Sequence, residues 1–166
     1  PRINNRKDKW GGSFENRARL LQLILQKVRE SVGNNFILAV KINSSDFQKG
    51  GLEISDSVKI ANLIEKENID FIEVSGGNFE APEAYQYVSL KESTKIREAY
   101  FLDAAKNIKA SVSIPIMVTG GFRSISVMEE ALSSSATDLI GIGRPFIIDP
   151  SFPYKLLNGN ISVLPA

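Results

Sequence analysis

Two glycine-rich segments in the last third of the sequence have the composition of an anion site. Gly120-Gly121 follows one apolar run of residues, and Gly143-Arg144 follows the next. Glycine lets backbone N–H groups approach an anion closely, and the planar guanidinium of arginine can hold two phosphate oxygens. One glycine pair alone usually marks a tight turn. Two successive segments that include an arginine predict a phosphate site, to which a helix N-terminus can also contribute.

Lys41 is the other residue whose position suggests chemistry. It interrupts the apolar run 36–42, which otherwise predicts a buried strand, and a buried cation needs a partner or a ligand. Three roles are open at this point. Lys41 could pair with a carboxylate such as Asp46, form a Schiff base as in class I aldolases, or stabilise negative charge on a cofactor.

The composition excludes several other kinds of site. The 166 residues contain no cysteine and no histidine, so this chain cannot supply thiolate nucleophiles, a Ser-His-Asp triad, or a metal site built on those ligands. The formal net charge of +1 gives no general attraction to nucleic acid or to an anionic membrane. No apolar run approaches the ~18 residues of a membrane span. We therefore expect no metal, nucleic-acid or membrane partner, and a cytoplasmic protein.

The elements that must position these residues alternate between helices and strands. The first helix is predicted between the N-cap Ser13 and the terminating Gly33. Apolar periodicity predicts further helices at 57–66, 96–108 and 125–132, and strands at 36–42, 69–74, 114–118 and 138–142. The strands are apolar on both faces, which is typical of a parallel sheet covered by helices.

This pattern predicts an α/β protein in which residues 1–166 form a single unit. A (β/α)₈ barrel needs about 250 residues, so four strands make half of one. Periodicity alone does not distinguish half a barrel from a small doubly wound sheet. In both architectures the C-terminal ends of the strands carry the active site, which is where Lys41, Gly120-Gly121 and Gly143-Arg144 lie.

The start of the chain resembles a known family. Residues 5–19 resemble the x-Arg-x-Asp-x-Tyr-Gly-Gly-Ser-x-Glu-Asn-Arg-x-Arg signature of the old yellow enzyme family of NAD(P)H:flavin oxidoreductases, with Trp10 in place of the usual tyrosine. Residues 95–102, 118–122 and 140–150 are also similar to this family, so the resemblance covers essentially the whole chain. The signature segment itself is expected to fix a loop and the start of the first helix rather than to act in catalysis.

The resemblance implies a (β/α)₈ barrel with FMN at its C-terminal face, of which this chain would be the C-terminal half. Lys41 falls where the family has a basic residue near N1 and O2 of the flavin, and would stabilise its reduced form. Gly120, Gly121, Gly143 and Arg144 match positions that hold the FMN phosphate. The implied activity is hydride transfer from NADPH or NADH through the flavin to an activated alkene, such as an α,β-unsaturated carbonyl compound.

No catalytic residue can be assigned, because the family's substrate-binding pair and proton-donating tyrosine would lie upstream of Pro1. Two alternatives stay open. One is a non-catalytic half-barrel that self-associates, or pairs with the missing half, because its edge strands are unpaired. The other is a different phosphate-binding barrel enzyme that uses Lys41 as a Schiff-base lysine.

Overall fold

The computed structural model describes residues 2–78 and 98–160. The four strands are β1 Ala39–Asn43, β2 Phe71–Ser75, β3 Ile116–Thr119 and β4 Leu139–Gly141. The helices are α1 Phe14–Val32, α2 Ile54–Ile64, α3 Leu102–Lys109, α4 Ile125–Ser133, α5 Arg144–Ile148 and α6 Phe152–Leu157, and the 3₁₀ turn Glu65–Glu67 follows α2. In the part of the chain that the structure describes, no helix is long and apolar enough to cross a membrane.

The strands form one parallel sheet in the order β1-β2-β3-β4. Alternate residues of β2 and β3, namely Ile72, Val74, Ile116 and Val118, are fully buried in a core shared with the helices. The predicted alternation of helices with a parallel sheet is therefore confirmed.

The other side of the sheet is less well covered than the sequence pattern predicts. We call it the open face; its residues are Ala39, Lys41, Asn43, Phe71, Glu73, Ser75, Met117, Thr119, Leu139 and Gly141. All of them are half-buried or exposed. The prediction of strands apolar on both faces is wrong for this side, because it carries several polar side chains.

Helix α1 begins and ends where the sequence predicts. The Ser13 side chain accepts a hydrogen bond from the Asn16 N–H, and Gly33 terminates the helix with a φ of 72°. Near its end, the buried Arg29 donates to the carbonyls of Gly33, Phe36 and Asn68 and to the Asp70 carboxylate. This guanidinium joins the end of α1 to the segments that lead into β1 and β2.

Two sequence predictions of element bounds need correction, and two short helices were not predicted. β1 begins at Ala39 rather than at residue 36, since Phe36 and Ile37 are exposed and the Leu38 N–H donates to Asp70. The helix predicted at 96–108 begins at Leu102 within the described residues, since 98–101 form a turn in which Ala99 has a φ of 50°; residues 96 and 97 lie outside them. Helices α5 and α6 are not predicted by the sequence pattern, and each has a proline in its first turn.

Carboxylates hold the N-terminal ends of the strands. Asp70 accepts the Leu38 N–H and the Arg29 guanidinium, and these contacts lower the pKa of Asp70. Burial raises the pKa of Asp138, but hydrogen bonds from Lys109 and the Ile116 N–H lower it below its ordinary value overall. Both carboxylates at this end of the sheet are thus satisfied by the chain itself.

Candidate cofactor site

The C-terminal ends of β3 and β4 bring the two glycine-rich segments together. Thr119 pairs with Gly141 across the two strands, and Gly120 follows Thr119 directly. Neighbouring strands lie about 4.8 Å apart. Gly120-Gly121 and Gly143-Arg144 therefore leave the sheet side by side, as the predicted phosphate site requires.

Gly120 and Gly121 are glycines because the fold demands it. Their φ angles are 144° and 75°, which other residues rarely adopt. A Cβ atom on Gly121 would lie 2.6 Å from Cδ1 of Tyr100, and one on Gly120 would lie 2.8 Å from Cδ2 of Phe101. The two aromatic rings are in edge-to-face contact, with their centroids 4.5 Å apart, and they support this turn.

Gly143 has no such reason to be a glycine. Its φ is −111°, and a Cβ atom would meet nothing within 4 Å. The open space beside its backbone is suited to a bound anion. Arg144 begins α5, is exposed, and forms no ion pair or hydrogen bond with its side chain in the described ranges. No surface salt bridge therefore accounts for Arg144 in that part of the chain.

The N-terminus of α4, by contrast, is already occupied. The Glu98 carboxylate accepts hydrogen bonds from the N–H groups of Arg123 and Ser124, at 3.0 and 2.7 Å, and from the Ser124 hydroxyl at 2.7 Å. These two N–H groups, which directly precede α4, are therefore not available to a phosphate. The contribution of a helix N-terminus to the phosphate site stays a prediction. Glu98 was not singled out from the sequence, because its partners are 25 and 26 residues away.

Lys41 lies on the open face and pairs with a residue other than the one considered. Its Nζ is 2.7 Å from Oε1 of Glu73, which lies opposite it on β2. Asp46 instead accepts hydrogen bonds from the Asn43 side chain and the Leu52 N–H. The Lys41 side chain is 54% exposed and that of Glu73 is 20% exposed, so the prediction of a buried cation is wrong.

The ion pair bears on the three roles considered for Lys41. A Schiff-base lysine needs an amine that is free to attack a carbonyl group, whereas Nζ of Lys41 is held by Oε1 of Glu73 at 2.7 Å. The geometry therefore favours a role as a positive charge over a Schiff base. Glu73 is a further residue that the sequence did not single out; only its place in register with Lys41 identifies it.

Unsatisfied polar atoms cluster at the same edge. Among the residues that the structure describes, three buried side-chain atoms make no hydrogen bond: Ser44 Oγ, Thr119 Oγ1 and Arg123 Nε. Ser44 follows β1, Thr119 ends β3, and Arg123 lies two residues beyond Gly121. Buried donors without partners are rare in folded proteins, and a polar ligand is one way to satisfy them. Arg123 Nε is a donor near Gly121 for which a phosphate-bearing group such as FMN has acceptors.

The signature segment at the start of the chain has the structural role that the sequence predicts. Asp8 accepts bonds from the Arg6 guanidinium and the Trp10 N–H, which lower its pKa to about 2. Asn16 donates to the carbonyls of Asp8 and Gly11, and Arg19 donates to that of Lys9. These bonds fold the segment onto the first turns of α1.

Comparisons with known proteins identify the family. The sequence model of the NADH:flavin oxidoreductase / NADH oxidase family matches residues 1–161, and the chain belongs to this family. The NADH-dependent flavin oxidoreductase iliE of Hypocrea jecorina is 36% identical over 160 residues, which are 94% of this chain and 40% of that protein. The NADPH dehydrogenase of Bacillus pumilus is 35% identical, over 92% of this chain and 42% of that protein.

Solved structures of related proteins confirm the fold class. The 2-naphthoyl-CoA reductase, in complex with 2-naphthoyl-CoA, superposes with a TM-score of 0.81 and 32% identity over 97% of this chain and 24% of that one. The old yellow enzyme homologue from Zymomonas mobilis superposes with a TM-score of 0.71 and 20% identity, over 99% of this chain and 43% of that one. The four strands thus correspond to half of a (β/α)₈ barrel, and the chain spans less than half the length of these proteins.

Proposed function

We propose that the protein containing this chain is an FMN-dependent NAD(P)H oxidoreductase that reduces activated alkenes, such as α,β-unsaturated carbonyl compounds. The observation that carries the proposal is the pair of adjacent strand ends, Gly120-Gly121 and Gly143-Arg144, with open backbone at Gly143 and a guanidinium at Arg144 that has no partner among the described residues. The names of the relatives, an NADH-dependent flavin oxidoreductase and an NADPH dehydrogenase, support either nicotinamide as the hydride donor.

In this proposal the chain binds both ends of FMN. Gly120, Gly121, Gly143 and Arg144 hold the phosphate through N–H groups and the guanidinium. Lys41 lies two strands from β3, about 10 Å along the sheet, on the side where the ring would lie. When bound, FMN supplies the hydride transfer from the nicotinamide to the alkene. Lys41 supplies a positive charge that stabilises the negative charge of the reduced ring, and Glu73 holds its amine in place.

We also propose that four further βα units close this sheet into a barrel and carry the substrate-binding pair and the proton donor. Within the described residues, β1 and β4 each have a strand on one side only, and the open face is half-exposed. Both features support a missing partner. Self-association of two copies through the same edges is the alternative arrangement.

The experiment is to replace Arg144 with alanine in the whole protein and to measure affinity for FMN and for riboflavin, which lacks the phosphate. Losing charge-assisted hydrogen bonds should cost roughly 1.5–3 kcal/mol, so FMN affinity should fall about tenfold to a hundredfold while riboflavin affinity stays the same. Lys66→Ala, which removes an exposed cation between α2 and β2 at the opposite edge of the sheet, is the control. A folded Arg144→Ala variant with unchanged FMN affinity would contradict the proposed phosphate site.

A further inference from the structure

We infer that Glu98 is a positioning residue that sets the shape of the phosphate-binding turn, defined here as residues 120–124. This inference rests on the proposed function, because it assigns Glu98 a part in binding the FMN phosphate without touching it. Glu98 is 8% exposed, and both of its carboxylate oxygens accept hydrogen bonds from the turn. No other carboxylate among the described residues bonds to residues 120–124.

The carboxylate holds the far end of the turn. Ser124 is the N-cap of α4, yet its side chain makes no capping bond to the helix. Its hydroxyl donates to the Glu98 carboxylate instead. The same carboxylate accepts hydrogen bonds from the N–H groups of Arg123 and Ser124, which a capping side chain at Ser124 would not satisfy. Glu98 therefore fixes where α4 begins relative to the end of β3.

The same short segment fixes the near end of the turn. The rings of Tyr100 and Phe101, two and three residues beyond Glu98, lie directly against Gly121 and Gly120. Phe101 also lies against Gly76, which follows β2. Residues 98–101 thus hold the turn at both ends, with aromatic rings under the glycines and a carboxylate at the start of α4.

A fixed turn matters because backbone recognition of phosphate depends on the direction of each N–H group. Donors that are already aimed at the anion need no reorganisation when it binds, and a loosened turn would have to be ordered at the expense of affinity. Because Glu98 accepts the N–H groups of Arg123 and Ser124, these two groups cannot serve the phosphate themselves. Their role is to anchor the turn, and the phosphate contacts remain with the glycines.

The test replaces Glu98 with glutamine in the whole protein and measures affinity for FMN and for riboflavin by flavin fluorescence. Glutamine has the same shape but is uncharged and has one acceptor oxygen, so the two backbone N–H groups lose a charged acceptor and the Ser124 hydroxyl faces an amide NH₂. The ratio of FMN to riboflavin affinity should fall about tenfold, consistent with losing a hydrogen bond to a charged group. A purely structural role would lower stability and weaken both ligands alike.

Glu65→Gln is the matched control. The Glu65 carboxylate also accepts a backbone N–H and a hydroxyl, both from Ser113, at 2.7 and 2.6 Å. It lies near the N-terminal end of β3, away from the phosphate-binding turn. Losing these bonds should lower the unfolding temperature and leave the affinity ratio unchanged.

The outcomes separate this inference from the proposed function. A wild-type protein that binds riboflavin as tightly as FMN would refute the phosphate site itself. A wild-type preference for FMN that survives Glu98→Gln, or increases, would overturn the role of Glu98 alone. If Glu98→Gln does not fold, Ser124→Ala removes one of the three bonds. Ser124→Ala should then lower the ratio of FMN to riboflavin affinity about threefold, because it loses only one neutral hydrogen-bond donor to the carboxylate. An unchanged ratio would count against the inference.

Discussion

The glycines at the proposed phosphate site fall into two kinds, and adding one methyl group to each distinguishes them. Gly121 has a φ of 75° and lies against the Tyr100 ring, whereas Gly143 has a φ of −111° and no atom within 4 Å of the position that a methyl group would take. The variants Gly121→Ala and Gly143→Ala therefore perturb the fold and the ligand separately. The first tests the packing of the turn, and the second tests whether an anion approaches the backbone.

The cost to stability follows from these contacts. In Gly121→Ala the left-handed backbone costs about 1–2 kcal/mol, and displacing the Tyr100 ring adds about 1–3 kcal/mol, as overpacking usually does. The free energy of unfolding should thus fall by roughly 2–5 kcal/mol. In Gly143→Ala neither term applies, so stability without ligand should stay within about 0.5 kcal/mol of wild type.

The two variants should rank in the opposite order for FMN affinity. Gly143→Ala should lose more affinity for FMN, whereas Gly121→Ala should lose more stability. A methyl group on Gly143 would occupy the space beside its N–H, and a phosphate that loses one charge-assisted hydrogen bond loses roughly 1.5–3 kcal/mol. FMN affinity should fall at least tenfold in a protein that is otherwise as stable as wild type. Gly121→Ala, when folded, should bind more weakly only in proportion to the disturbance of the turn.

The assay is urea unfolding of the flavin-free protein combined with FMN titration of each variant. Wild-type FMN affinity in Gly143→Ala would refute the claim that the phosphate approaches Gly143. Unchanged stability in Gly121→Ala would refute the account of Tyr100 as a rigid support. Riboflavin titration serves as the internal control, since neither variant touches the region of Lys41.

Two further predictions concern charge. Lys41→Met should lower the flavin midpoint potential because the reduced ring loses its positive neighbour, and Glu73→Gln, which removes the opposing negative charge, should raise it; an unchanged potential in Lys41→Met would argue against that role. Asp138 has a lowered pKa in the folded state, so the stability it provides is present above its unfolded pKa and is lost as the pH falls through the lower folded value. Asp138→Asn should therefore flatten the loss of stability measured between about pH 5 and pH 2, and equal slopes in variant and wild type would contradict this account.

The fold was largely predictable from the sequence because its signals are local. Apolar runs every few dozen residues, with Ser13 and Gly33 at the ends of the first helix, are enough to predict alternating helices and parallel strands. The strand ends that carry Gly120-Gly121 and Gly143-Arg144 follow from the same pattern, since parallel strands end at one edge. Helices α5 and α6 were not predicted because they have only five and six residues, which is too short for a periodic pattern of apolar residues.

Contacts between distant residues could not be predicted in the same way. Lys41 pairs with Glu73, 32 residues away, rather than with the nearer Asp46, because strand register places Glu73 opposite it. The sequence pattern also overestimates the burial of Lys41, since its apolar neighbours in sequence point to the other face of the sheet. Glu98 reaches the phosphate-binding turn only because the chain returns to β3 after it.

The two ends of the sheet differ in how their polar groups are satisfied, and this difference is the most general evidence for where the ligand binds. At the N-terminal end, Asp70 and Asp138 accept hydrogen bonds from backbone N–H groups and basic side chains. At the C-terminal end, Thr119 Oγ1 and Arg123 Nε are buried without partners in the described part of the chain. Each such group should cost about 1–3 kcal/mol while it has no partner. A fold that leaves this cost at one end only is suited to a ligand that supplies the missing partners there, and FMN has acceptors along its length for both.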